Sequence, residues 1–167
     1  MTVITSSRDV DALTLTIVAT FDASVERVWQ VWEDPRQLER WWGPPTWPAT
    51  FVRHDFVPGG ASRYYMTGPE GEKSRGWWTT TMIDAPRRLE FDNGFAGDDG
   101  EPDKGNEVEP MRMTVTLDTV DGVTRMTTVT AFASTEQLEQ VLEMGMEEGM
   151  REAMGQISAA TDGLRGG

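Results

Sequence analysis

The first clear pattern along the chain is strict alternation. Leu13, Leu15, Ile17, Ala19 and Phe21 alternate with Thr14, Thr16 and Thr20, the period-2 signature of a strand with one buried face. After Asp22 the period changes. Val25, Val28, Trp29 and Trp32 fall at i, i+3, i+4 and i+7, one face of a helix. Asp34 suits an N-cap, Pro35 the first helical position and Gln37 the third. A second short helix therefore carries Leu38, Trp41 and Trp42 until Gly43-Pro44-Pro45 stops it. Short β-like runs follow at 49–57, 61–66, 76–83 and 88–91. Turn signals at Pro58-Gly59-Gly60, Gly68-Pro69-Glu70-Gly71 and Asp84-Ala85-Pro86 divide them, which predicts an antiparallel meander.

The segment 92–110 is rich in Gly, Asp, Glu and Pro, and predicts a long acidic surface loop over about 94–109. Alternation resumes at Met111, Met113, Val115 and Leu117, and Asp121-Gly122 turns the chain into a last strand, 123–132. Ser134 and Gln137 can cap a final long helix. Its inner stripe runs from Leu138 through Val141, Gly145, Met146, Gly149, Met150 and Met154 to Leu164, with Glu139, Glu143, Glu147 and Glu152 mostly outside. A glycine in a helix interior costs about 1 kcal/mol relative to alanine. Gly145 and Gly149 thus mark close approach of another backbone, room for a ligand, or a looser helix.

This order predicts an α+β fold, a seven-stranded antiparallel sheet wrapped round a long C-terminal helix with two short helices after the first strand. Such a sheet reaches further than one helix can fill, so an apolar cavity between them is expected. The pattern implies one domain over 1–167, its core at about 13–164 between flexible termini.

Charge narrows the possible partners. Fifteen Lys and Arg against 28 Asp and Glu give −13, which disfavours nucleic acid and anionic membranes. With no cysteine there are no disulfides, thiolate nucleophiles or Cys-type zinc sites, and a reducing compartment fits. No run approaches the roughly 20 apolar residues of a membrane span, and Met1 to Val10 lacks a signal-peptide core. The cytoplasm is the expected location.

Seven tryptophans and ten methionines are many for this length. Most serve the core, yet Trp32, Trp42, Trp78, Phe51 and Phe91 are also candidates to rim a cavity and stack on an apolar or aromatic ligand. Met113, Met146, Met150 and Met154 offer it an adaptable, polarisable lining. Adjacent Trp41 and Trp42 cannot face one way, nor can Trp77 and Trp78 on a strand. His54 is the only histidine. Its strand neighbour Asp55 points to the opposite face, so a dyad is disfavoured and a structural role, or a polar anchor in the cavity, is left. Arg63 and Tyr65, two apart on one strand, share a face and could offer a guanidinium and a phenol to a ligand acid group, or pair at the surface. No calcium-loop, phosphate-loop or nucleophile-elbow pattern is present. No catalytic residue, metal site or cofactor is expected.

Several ordered segments carry a resemblance. Ala23-Ser24-Val25-Glu26-Arg27-Val28-Trp29, Asp34-Pro35 through Leu38 to Trp41-Trp42-Gly43-Pro44, Asp55 with Pro58-Gly59-Gly60, Ala85-Pro86-Arg87-Arg88-Leu89-Glu90-Phe91 and Gly145-Met146-Glu147-Glu148-Gly149-Met150 together resemble the activator of Hsp90 ATPase homologue-like family. That family lies within the START-like or SRPBCC superfamily. The likeness spans about Leu13 to Leu164. It implies a helix-grip fold whose sheet cradles the C-terminal helix around a hydrophobic cavity. Where many relatives carry a tryptophan in the last helix, this chain has Met150. Function varies across the superfamily, from lipid carriers to cyclases and the chaperone activator domain. The favoured expectation is uptake of a small hydrophobic or aromatic molecule. A chaperone-binding module and a cyclase- or hydrolase-type enzyme in the same cavity are the alternatives, and either a monomer or a homodimer fits.

Overall fold

The computed structural model describes residues 3–96, 110–143 and 145–157. Two helices follow the β1–β2 hairpin: β1 (Val3–Asp9), β2 (Thr14–Phe21), α1 (Val25–Glu33) and α2 (Pro35–Leu38). The meander comprises β3 (Ala49–His54), β4 (Ala61–Thr67), β5 (Lys73–Asp84) and β6 (Arg88–Phe95). Then come β7 (Met111–Val120), β8 (Val123–Ala131), α3 (Thr135–Glu143) and α4 (Met146–Gly155). The acidic loop expected at 94–109 lies for the most part outside the described residues, as does the stretch of the final helix towards Leu164.

Among the described residues one antiparallel sheet runs in the order β1-β2-β8-β7-β6-β5-β4-β3. It has eight strands, against the expected seven. The additional strand is β1, paired with β2 from Val3 opposite Thr20 to Asp9 opposite Thr14. Leu13 turns the hairpin at φ 58°, and the Asp9 carboxylate accepts from the Ala12 amide. A bulge at Val52 interrupts the β3–β4 register, leaving that side chain 67% exposed.

The inner face of the sheet follows the alternation read from the sequence. Leu15, Ile17, Ala19 and Phe21 are buried on β2, and Met111, Met113, Val115 and Leu117 on β7. On β8 the inward positions include Thr124 and Thr128, whose hydroxyls donate to the Ala23 and Ile17 carbonyls. Side-chain caps start the helices, at Asp34 as expected and at Ser24 besides. Ser24 Oγ accepts from the Arg27 amide, and Asp34 accepts from the Arg36 amide and the Gln37 side chain.

The last helical segment is broken. Gly145 takes φ 88° between α3 and α4, a left-handed conformation that glycine adopts without the Cβ penalty. The stripe nevertheless stays in phase: Leu138 and Val141 on α3 and Ala153 and Met154 on α4 all enter the core. α4 lies against β1 and β2, α1 against β7 and α2 against β3. Between these helices and the sheet the filling is incomplete.

Candidate functional site

Aromatic side chains fill one end of the space. Trp32 is completely buried, within 6.2 Å (ring centroids) of Trp41, Trp42, Trp78 and Phe91. Its indole N–H reaches the Met126 sulfur at 3.4 Å. Phe91 stacks on Trp78 at 4.2 Å. Trp41 and Trp42 are both buried because the chain leaves the helix after one turn. Their rings stand nearly perpendicular at 80°, and Trp41 donates to the Val31 carbonyl. Trp77 and Trp78 take opposite faces: Trp78 enters the core, while Trp77 sits over Gly94 outside it.

Beside this cluster a cavity of about 250 Å³ remains open. Tyr64 and Met66 of β4, Asn93 of β6 and Met111 and Met113 of β7 form its sheet side. Trp42, Gly43 and Pro44 close one flank, and Val141, Gly145, Met146, Gly149, Met150 and Ala153 form the helical side. A Cβ at Gly145 or Gly149 would meet nothing within 4 Å. Close backbone approach is therefore not their role; they leave space. Gln156, just beyond α4, donates to the Trp41 and Gly43 carbonyls and ties the helix to this flank. At its other side α4 is held to β1, where Glu147 accepts from Ser6 Oγ at 2.6 Å and Arg8 Nε at 2.7 Å.

Of the residues singled out from sequence, the fold brings Trp42, Met113, Met146 and Met150 to the cavity wall. Trp32, Phe51, Trp78, Phe91 and Met154 are packed in the core behind it. Arg63 and Tyr65 do not face it. They pair with Trp77 and Arg75 on the outer face of the sheet, where Lys73 and Arg75 sit over the Tyr65 ring.

His54 ties β3 to the end of α1 and to β4. Its Nε2 lies 2.9 Å from the Trp32 carbonyl, an acceptor only, so that nitrogen carries the proton. Nδ1, 2.7 Å from Ser62 Oγ, then accepts from the hydroxyl. Burial lowers the imidazole pKa, against the opposing pull of the Trp32 carbonyl bond. Among the described residues no three His, Cys, Asp or Glu side chains group closely enough to hold a metal ion.

Besides Asn93, whose amide donates to the Met111 carbonyl, the polar side chain lining the cavity is Tyr64, and sequence reasoning passed over both. Its ring stacks on Phe51 at 4.9 Å and meets Trp42 edge-on. Burial pushes the phenol pKa up, while the indole N–H groups of Trp42 and Trp78 favour its charged form. Neither indole nitrogen completes a hydrogen bond with it or with any other described group. Gly76, cross-strand from Tyr64, is the sequence signal that could have pointed to it, because the phenol occupies the space a side chain would take.

Comparison with known proteins agrees with this architecture. The family model described as "Activator of Hsp90 ATPase homolog 1-like protein" matches residues 22–162. The chain belongs to this family. The solution NMR structure of an Arthrobacter aurescens protein is 56% identical, covering 95% of this chain and 91% of its own, with a TM-score of 0.89. The crystal structure of Ms6760 from Mycobacterium smegmatis is 47% identical over 94% of this chain and 96% of its own, with a TM-score of 0.87. NE0264 from Nitrosomonas europaea shares the fold at 23% identity and a TM-score of 0.80, over 93% of this chain and 98% of its own. No curated protein matches significantly. The α+β helix-grip architecture is thus that of the family, and it is a fold suited in general to hydrophobic ligands. No helix among the described residues is long and apolar enough to cross a membrane.

Proposed function

We propose that this protein takes up a small hydrophobic or aromatic molecule in the cavity between the sheet and α4. The observation that carries this reading is the lining. Five methionines and Trp42 surround about 250 Å³, with Tyr64 and Asn93 as its polar side chains. Predominantly apolar walls with few polar groups describe a small-molecule site. Thioethers adapt their shape to an occupant. The test is native mass spectrometry of protein purified from its own host, compared with the denatured sample. A stoichiometric apolar adduct lost on unfolding is the expected result. An adduct-free protein that gains no thermal stability from a panel of lipids and aromatic compounds defeats the reading.

A second reading draws on the family description and the net charge of −13. An acidic surface complements a basic patch on a chaperone of the Hsp90 type. Binding to the host chaperone that weakens with salt supports it, and its absence at low salt removes it.

A further inference from the structure

Tyr64, on the cavity wall, is flanked by the Trp42 and Trp78 indoles, and the hydrogen-bonding capacity of the three is unbalanced. Tyr64 lines the space. The indoles of Trp42 and Trp78, both residues at most 4% exposed, stand beside its ring at 6.0 and 6.4 Å between centroids, and neither indole N–H has a hydrogen-bond partner among the described residues. An indole nitrogen is a donor only, so the one service the phenol oxygen can render these two groups is to accept. A phenol oxygen approached by two donors on its lone-pair side turns its single proton away from them. That proton is then available to an occupant of the cavity that Tyr64 lines. A buried donor without a partner is costly, and a shift of the Tyr64 oxygen that strengthens it as an acceptor relieves two such donors together. Donating its own proton to an acceptor has that effect, since hydrogen bonds in a chain polarise one another.

We propose, resting on the uptake reading above, that the occupant carries a carbonyl or phenolate oxygen on an otherwise apolar ring system. That oxygen accepts the hydrogen bond of the Tyr64 hydroxyl. The Trp42 and Trp78 indoles close on the Tyr64 oxygen from behind when it does. Tyr64 is then the specificity-determining contact, and the two tryptophans position it.

The test uses two compounds of matched shape, 2-acetylnaphthalene and 2-ethylnaphthalene, which differ in the carbonyl. Their affinities are measured on the full chain and on its Tyr64→Phe variant. Loss of one neutral hydrogen bond is expected to lower the ketone-to-hydrocarbon affinity ratio about fivefold in Tyr64→Phe, with the hydrocarbon affinity held within about twofold. In the unaltered protein, the Trp42 and Trp78 indole N–H resonances are expected to move downfield with the ketone and not with the hydrocarbon. That second readout decides the matter if Tyr64→Phe does not fold. An unchanged ratio, or indole resonances that respond equally to both compounds, overturns the anchor and leaves apolar uptake standing. If neither compound binds the unaltered chain, the uptake reading fails and the anchor with it.

Discussion

Gly76 lies directly opposite Tyr64 in the β4–β5 ladder, and a methyl group in place of its hydrogen would overlap the phenol head. The ring cannot easily yield, because Phe51, Trp42 and Trp78 surround it. Gly76→Ala is therefore expected to drive the phenol towards the cavity. Overpacking of this kind costs about 1–3 kcal/mol. Urea unfolding and apolar-probe binding should report the same change, lower stability together with weaker uptake.

Met150 sits half-buried on the α4 wall of the cavity. Met150→Trp is expected to fill the space and abolish probe binding, at a stability cost under about 1 kcal/mol because open volume is being occupied. Calorimetric titration and thermal unfolding check the two halves. A large loss of stability would mean that the site is already close-packed.

Glu147 joins α4 to β1 through Ser6 and Arg8, and these two bonds hold its carboxyl below the usual range. A depressed carboxylate pKa contributes stability that is complete above the ordinary value, 4.5, and is lost as pH falls through the lower folded value. Arg8 is half-exposed, which screens the pair. Glu147→Gln is expected to cost about 0.5–1 kcal/mol at pH 7. The difference from the unaltered protein should vanish in acid, as pH-dependent urea unfolding can measure.

The buried imidazole of His54 behaves in the opposite chemical sense and gives the same sign. Its folded pKa lies below 6.5, so stability is complete above that pH and falls as the unfolded chain takes up the proton first. An NMR titration of the ring should give a midpoint below 6.5. Stability should decline from pH 7 to pH 5, and His54→Gln should flatten that part of the slope.

The order of most elements was legible because their inward faces are apolar at period 2 or 3.6. Where an element faces a polar neighbour the signal fails. In β1 the positions turned to α4 are Ile4, Ser6 and Arg8, and two of the three meet it through hydrogen bonds rather than apolar surface. Periodicity also hid the break at Gly145. Val141, Gly145 and Gly149 keep i, i+4 spacing across it, and all three reach the cavity. At the site, the methionines on clearly alternating or helical stretches were readable. On β4 both faces mix polar and apolar residues. Arg63 and Tyr65 drew attention by their charge and phenol, whereas the inward set is Ser62, Tyr64 and Met66. Which face turns inward is fixed by pairing with Trp78 and Gly76, a relationship between strands that one strand's sequence does not carry.

The bulge at Val52 bears on whether the sheet can be extended edge to edge. Among the described residues the sheet has two rims, β1 and β3, and an unpaired rim of backbone donors and acceptors is a template for another chain; at β3 the Phe51 amide and carbonyl are taken up by Glu39 and Arg36. At β3 the extra residue bends a strand of six residues and throws Val52 outwards, so the rim offers no long flat row. At β1 a run of Thr, Ser, Arg and Asp does the corresponding work with hydration and charge. A protein that keeps an oily hollow at its centre is thereby guarded at both borders against growing into a fibre.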